Sequence, residues 1–212
     1  QLHTGTVPTE KLTGIVPRME YPVGVRLQQR PFLENVISQA DYEYLKKCLI
    51  RDGKTNYYLA VRIMAATGVR ISELVQIQIE DIRRGQLDLY SKGNKIRRIY
   101  FPHSVRETCL MWLQNENRSK GSLFLNRFGR PISTNGIRDQ LKVFALRYHL
   151  DPSVVHPHSF RHLFAKNFVE RFNDIALLSD ILGHESIETT RIYLLTSGAE
   201  HQRQLDRLGL VL

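Results

Sequence analysis

The sequence has little of what marks secreted or membrane proteins. Its 212 residues include only two cysteines, Cys48 and Cys109, and each lies within an apolar helical pattern. This placement indicates reduced core residues rather than a disulfide framework. No apolar run approaches the ~20 residues that a helix needs to cross a bilayer, and no segment resembles a secretory leader. We therefore expect a soluble intracellular protein.

Internal repeats and low-complexity tracts are absent, and acidic side chains are in the minority. The 30 Lys and Arg residues outnumber the 21 Asp and Glu residues, which gives a formal net charge of +9. Such an excess favours a polyanionic partner such as nucleic acid over an acidic small molecule. A chain of this length, with 42% hydrophobic residues, is able to bury a sizeable core of its own.

The two ends of the sequence differ from its middle. Residues 1–30 mix proline, threonine and glycine without a sustained period, which predicts an extended linker. The compact domain is expected at residues 31–198, followed by a tail at residues 199–212 whose terminal apolar residues need burial. The first residue is Gln1 rather than methionine, which indicates a fragment or a processed product.

Periodicity predicts a mainly α domain with one small antiparallel sheet (α+β). Ser38 is a predicted N-cap, with Asp41 three residues later, and Gly68 is a predicted helix stop. Alternation of apolar and polar residues predicts a hairpin with strands at 86–90 and 95–101. The predicted helices cover residues 38–52, 55–67, 69–77, 103–116, 134–149, 158–172, 174–182 and 186–194.

Four short segments concentrate unusual polar residues. They are A-T-G-V-R-I-S-E-L at 66–74, S-K-G-N-K at 91–95, H-S-F-R-H at 158–162 and L-G-H-x₈-Y at 182–193. Each has an ordinary interpretation when taken alone. Arg70 would be a surface arginine after a helix end, Lys92 a solvated lysine in a turn, and Tyr193 a core aromatic.

The positions of His158 and Arg161 in the sequence favour an anion-binding site. They lie one turn apart at the start of a predicted helix, and Pro157 before them suits a helix N-terminus. A helix N-terminus carries partial positive charge, so two further cationic groups there favour a bound anion. Phosphate is the natural candidate because a guanidinium donates two parallel hydrogen bonds to it.

Together, in this order and spacing, the four segments resemble the catalytic domain of the tyrosine recombinases, or phage-type integrases, over about residues 31–195. The resemblance implies that Arg70 and Arg161 bind the scissile phosphate and that His158 and His184 flank it. It implies Lys92 as general acid in the hairpin turn and Tyr193 as the nucleophile. Lys95 is a competitor for the lysine role, and Ser91 stands where the family usually has glycine.

Elementary chemistry agrees with these roles. Phosphoryl transfer needs charge stabilisation, an aligned nucleophile and a proton for the leaving oxygen. A tyrosine with a pKa near ~10 needs cationic neighbours or a base, and His158 is the expected proton acceptor. The expected product is a 3′-phosphotyrosyl link, formed without metal, ATP or any other cofactor.

Three other readings stay open. His156, His158 and His162 form a cluster with a metal-ligand spacing, although no Glu or Cys lies with them. A type IB topoisomerase would use the same nucleophile to relax supercoils. A catalytically silent DNA-binding regulator would keep the fold without the chemistry.

The resemblance also implies partners. We expect double-stranded DNA, a homo-oligomer that forms a tetramer on paired sites, and an accessory directionality or bending protein. Residues 1–30 would link the domain to an N-terminal DNA-binding domain, and residues 199–212 would exchange with a neighbouring protomer. The expected location is the cytoplasm, at the bacterial nucleoid, in the service of a mobile element or a resolution system.

Overall fold

The computed structural model describes residues 35–90, 96–184, 188–191 and 193, and these form helices around one β-hairpin. The elements are α1 (Gln39–Arg51), α2 (Thr55–Thr67), α3 (Ile71–Leu74), α4 (Ile79–Arg84), β1 (Gln86–Tyr90), β2 (Ile96–Tyr100), α5 (His103–Asn115), α6 (Thr134–Arg147), α7 (Pro157–Phe172), α8 (Ile175–Leu182) and α9 (Glu188–Arg191). The prediction of a mainly α fold with a small antiparallel sheet is confirmed. The linker at 1–30 and the tail at 199–212 lie outside the described residues.

Local capping signals set the ends of the first two helices. The backbone N–H of Asp41 donates to Ser38 Oγ at 3.0 Å, so Ser38 is the N-cap of α1 as predicted. Helix α2 has the predicted bounds and ends at Gly68, which adopts φ 64°. This left-handed conformation is natural for glycine at a helix end.

The segment after Gly68 differs from its prediction. Only Ile71–Leu74 is helical within the expected span of 69–77. Helix α4 is not apparent from periodicity, because six residues are too few to establish a 3.6-residue repeat. It is stabilised at its start by Asp81, which accepts a hydrogen bond from the backbone N–H of Gln78 at 2.8 Å.

The hairpin places one side chain of functional interest on its inner face. Strands β1 and β2 are antiparallel, with Leu87 opposite Ile99 and Leu89 opposite Arg97. Since side chains alternate between the two faces of a strand, Arg97 shares the inner face with buried Ile99. The turn, with Lys92 and Lys95, lies outside the described residues.

The later helices agree with prediction as far as they are described. Helices α5 to α8 match their predicted bounds within two residues. Helix α9 is described over Glu188–Arg191, inside the expected 186–194. Residues 185–187, including the expected cap Ser186, and residues 192 and 194 lie outside the described residues. Tyr193 itself is described and half-buried.

Helix α2 lies at the centre of the core. Its residues Leu59, Ile63 and Met64 are fully buried, and the helix packs against α1, α5 and α7. Cys48 and Cys109 are buried free thiols, as the sequence indicated. Packing of α2 against α7 brings the end of α2 next to the start of α7. No helix within the described residues is both long and apolar enough to cross a membrane.

A second, smaller apolar cluster joins α7 to α8. Its buried members are Ala165, Val169, Leu178 and Leu182. The partly buried aromatic rings of Phe164, Phe168 and Tyr193 pack against it. The cluster therefore holds the tyrosine against the helix that carries Arg161.

Candidate active site

Arg161 is a buried cation at the start of α7. The residue is 6% exposed, and its guanidinium donates to the carbonyl oxygen of Gly68, to that of Leu182 at 2.9 Å, and to His184 Nε2 at 2.9 Å. Burial, followed by the positive charges of Arg70 and Arg97, lowers the pKa of Arg161 to about 10, so it remains charged at neutral pH.

Arg70 lies beside it at the N-cap of α3. Its guanidinium donates to Glu73 Oε1 at 3.0 Å and to the carbonyl oxygen of Gly183 at 2.9 Å. The side chain is still 37% exposed. Arg70 is therefore positioned by two partners and is also open to a ligand.

Glu73 holds a second arginine that the sequence did not single out. Its Oε1 accepts from Arg97 of β2, and Arg97 Nη2 donates to the carbonyl oxygen of Ile181 at 3.0 Å. The side chains of Glu73 and Arg97 are only 12% and 14% exposed. Arg97 thus connects the hairpin to α3 and to the end of α8. The inward register of β2 was the one available signal for it.

Two glycines allow these elements to meet closely. A Cβ atom on Gly68 would lie 2.6 Å from both Leu182 Cδ2 and Phe164 Cδ1, and one on Gly183 would overlap the side chain of Arg97. Gly183 also has φ 60°, so any other residue would be strained as well as crowded. The T-G and L-G pairs in the sequence mark these approaches.

His184 follows Gly183 and is held as a neutral ring. Because Arg161 has only donors, His184 Nε2 is the acceptor, and Nδ1 carries the proton that it donates to Thr190 Oγ1 at 2.7 Å. Burial, aided by the charge of Arg161 and then of Arg70, lowers the pKa of His184 to about 4. Buried Thr190 anchors this tautomer from α9.

His158 is the exposed member of the site. It lies in the first turn of α7, one turn before Arg161. Desolvation of its ring at the helix end, followed by the charges of Arg161, Arg138 and Arg70, lowers its pKa. A ring at this place faces a region of positive potential and is accessible to solvent.

The Tyr193 hydroxyl contacts His162 rather than His158. His162 Nδ1 is within hydrogen-bonding distance of Tyr193 Oη, and the ring centroids are 5.6 Å apart. Burial raises the pKa of Tyr193 to about 12, against the opposing effect of the Arg161 charge. Burial, followed by the charges of His158 and Arg161, lowers the pKa of His162 to about 4. Sequence reasoning gave His162 no catalytic part.

The predicted site residues that the structure describes therefore lie close together. Arg70, Arg161 and His184 meet around Gly183, and His158 and Tyr193 lie at the same helix, α7. Lys92 and Lys95 lie outside the described residues. Within the described ranges, no three His, Cys, Asp or Glu side chains are placed to hold a metal ion, His156, His158 and His162 included.

The charge of this site suits an anion. Arg70, Arg97 and Arg161 bring three positive charges, while Glu73 is the one carboxylate bonded to them among the described residues. Among the described residues the hydrogen-bond acceptors of Arg161 are all neutral, and Glu73 acts on it without a direct bond. A phosphate with two free oxygens would supply the missing negative charge.

Comparison with known proteins identifies the family of this chain. Residues 35–199 match the family model described as the phage integrase family. The chain is 33% identical over 141 residues to the tyrosine recombinase XerD of Staphylococcus haemolyticus (63% of this chain, 48% of that protein). It is 34% identical over 142 residues to XerC of Lactobacillus delbrueckii subsp. bulgaricus, with the same coverage. The chain thus spans about half the length of these curated relatives.

Solved structures give the same fold. The crystal structure of XerA recombinase superposes with a TM-score of 0.67 and 22% identity, over 84% of this chain and 64% of that one. The Tn1549 transposon integrase in complex with transposon right end DNA gives 0.69 and 20%, over 82% and 66%. The family match covers most of the sequence, and the chain belongs to the phage integrase family of tyrosine recombinases.

Proposed function

We propose that this protein is a site-specific DNA recombinase that cuts and rejoins DNA strands through Tyr193. The observation that carries the proposal is the convergence of Arg70, Arg161 and His184 around Gly183, next to the helix on which the Tyr193 hydroxyl rests. The names of the relatives, which are recombinases and integrases, support it.

The two arginines bind the scissile phosphate in this proposal. Arg70 is partly exposed and Arg161 is fixed by three neutral acceptors, so both guanidinium groups are oriented before DNA arrives. Oriented donors stabilise the charge that develops on the phosphate without reorganisation during the reaction. His158 and His184 add contacts to the phosphate oxygens.

Cleavage exchanges one phosphoester for another. The Tyr193 oxygen attacks phosphorus, the bond from phosphorus to the 5′ oxygen breaks, and a 3′-phosphotyrosyl link forms. Lys92 protonates the leaving oxygen, a role that rests on the family resemblance and on the mobility of an ammonium group. Because the ester bond is conserved, the reaction needs no ATP, metal or cofactor and is reversed by an incoming 5′ hydroxyl.

Recombination also requires partners. We propose double-stranded DNA, a tetramer on two paired sites, and a domain that precedes residues 1–30 and closes on the duplex. Residues 199–212 would dock on a neighbouring protomer, and an accessory protein would set direction. DNA contacts directed mainly at phosphates would weaken steeply with salt.

A trapping assay tests the proposal. The full-length protein is mixed with a library of nicked duplexes that carry a randomised target, and protein-bound DNA that survives denaturant is recovered and sequenced. We expect adducts enriched in one sequence from the wild type and none from Tyr193→Phe. Binding without any adduct would leave a silent DNA-binding protein, whereas relaxation of plasmid lacking that sequence would indicate a topoisomerase.

A further inference from the structure

The contact between His162 and Tyr193 has no role in the assignments above. We propose that His162 Nδ1 takes the hydroxyl proton of Tyr193 as the tyrosine attacks DNA. This inference rests on the proposed function, because it concerns the same nucleophile. In this proposal His162, rather than His158 as expected from the sequence, is the proton acceptor.

The geometry selects His162 over the other histidines. Nδ1 of His162 is the hydrogen-bond partner of the Tyr193 hydroxyl within the described residues. His184 is unsuitable because both its nitrogens are engaged, by Arg161 and by Thr190. His158 is exposed and makes no hydrogen bond to Tyr193 in the described part of the chain.

Packing fixes the tyrosine at this histidine. The Tyr193 ring packs with Phe164, Phe168 and Ile175 against the apolar cluster between α7 and α8. His162 is half-buried and lies one turn after exposed His158 on the same face of α7. Packing therefore holds the Tyr193 hydroxyl at His162.

Protonation states in the DNA-free protein agree with the direction of the hydrogen bond. Tyr193, with a pKa of about 12, is a protonated phenol and donates, while His162, with a pKa of about 4, is neutral and accepts. The charged or titratable groups that act on His162 are His156, His158 and Arg161. All three disfavour a positive charge on the His162 ring.

DNA changes this balance. A bound phosphodiester places negative charge against Arg161 and His158 and so offsets their repulsion, which adds to burial in lowering the pKa of His162. Transfer then accompanies attack. The phenolic O–H bond breaks and an N–H bond forms at Nδ1, while the tyrosine oxygen bonds to phosphorus. The bond from phosphorus to the 5′ oxygen breaks, and Lys92 supplies the proton that this oxygen takes. On rejoining, His162 returns the proton to the departing tyrosine oxygen.

The test isolates proton removal. A nicked duplex of the selected sequence carries sulfur in place of the bridging 5′ oxygen, so the leaving group needs no acid. Single-turnover adduct formation is measured against pH for the wild type, His162→Ala, His162→Asn and His158→Ala. Asparagine keeps an acceptor oxygen near the Nδ1 position but cannot take a proton, and DNA gel shifts and circular dichroism check folding and binding.

The expected results separate catalysis from positioning. Both His162 variants should react roughly 10²–10⁴-fold more slowly, as expected for loss of general base catalysis. Their rates should rise with pH where the wild type levels off, and added imidazole should restore part of the rate of His162→Ala. His158→Ala should bind DNA less tightly and should not respond to imidazole.

Other outcomes overturn the inference without touching the proposed function. If the wild type forms the adduct and His162→Asn matches its rate and pH profile, His162 only positions the ring. If imidazole rescues His158→Ala instead, His158 is the base. An absence of adduct from the wild type on every duplex would count against the proposed function itself.

Discussion

The guanidinium of Arg161 donates a hydrogen bond to the carbonyl oxygen of Gly68, which lies 93 residues earlier in the chain. Its other partners, Leu182 O and His184 Nε2, are also neutral acceptors. A buried arginine is usually paired with a carboxylate. Here the fold satisfies the hydrogen-bond donors and leaves the positive charge available for a phosphate.

Replacing Arg161 with lysine should therefore slow DNA cleavage much more than it weakens DNA binding. Lysine keeps the charge but cannot reach three acceptors in one plane. We expect Arg161→Lys to form the covalent adduct roughly 10²–10³-fold more slowly, the usual effect of removing one oriented donor. Exposed Arg147→Lys at the end of α6 is the control and should match the wild type. Equal loss in both variants would argue against an oriented role for Arg161.

Glu73 should matter for stability as well as activity, because Arg70 and Arg97 both donate to it. Glu73→Gln removes the negative charge to which the guanidinium groups of Arg70 and Arg97 both bind. Loss of such charged hydrogen bonds should lower the free energy of unfolding by roughly 1.5–3 kcal/mol, measured by urea denaturation. Glu107→Gln, which breaks only the exposed contact with His103, should change it by less than about 0.5 kcal/mol. Similar values for the two variants would contradict this account.

The close approach at Gly183 gives a matched pair of variants. Gly53 and Gly183 have φ 65° and 60°, but nothing lies within 4 Å of a Cβ added at Gly53, whereas one at Gly183 overlaps Arg97. Gly53→Ala should cost only the backbone strain of about 1 kcal/mol. Gly183→Ala should cost clearly more and should also slow adduct formation. An equal loss of stability and no change in rate would show that the approach is unimportant.

Whether a structural feature could be predicted from the sequence depends on how far apart in the chain its interacting residues lie. Ser38 begins α1 and Gly68 ends α2 through local caps, so both positions were predicted correctly. The short helix α4 lacks enough residues for a periodic signal. The helix predicted at 186–194 is described only over Glu188–Arg191, so its two ends stay a prediction.

The site shows the same division. Resemblance to a family identified Arg70, Arg161 and His184, whose convergence the structure describes. Glu73, Arg97 and His162 were given no catalytic role, because the contacts of Arg97 with Glu73 and of His162 with Tyr193 join elements that are distant in sequence. Arg97 is 24 residues from Glu73, and His162 is 31 residues from Tyr193. Spacing along one helix or strand cannot reveal such pairs.

Acid should destabilise the domain through its neutral histidines. The pKa values of His162 and His184 are about 4 in the folded protein, against an ordinary value of 6.5. Between these values the unfolded chain binds more protons than the folded one, so stability falls as pH is lowered from about 6.5 to about 4. In thermal unfolding across this range, His184→Gln should show a shallower pH dependence than the wild type. Parallel curves for the two proteins would exclude His184 as a source of acid sensitivity.

The most direct test identifies the atom that becomes attached to DNA. Adducts trapped on the nicked duplex are digested with protease and nuclease, and the modified peptide is sequenced by mass spectrometry. We expect one modified residue, Tyr193, linked through its oxygen to a 3′-nucleotide, with chelators having no effect on the yield. A nucleotide on a different residue, or cleaved DNA with free ends and no attached peptide, would contradict the account.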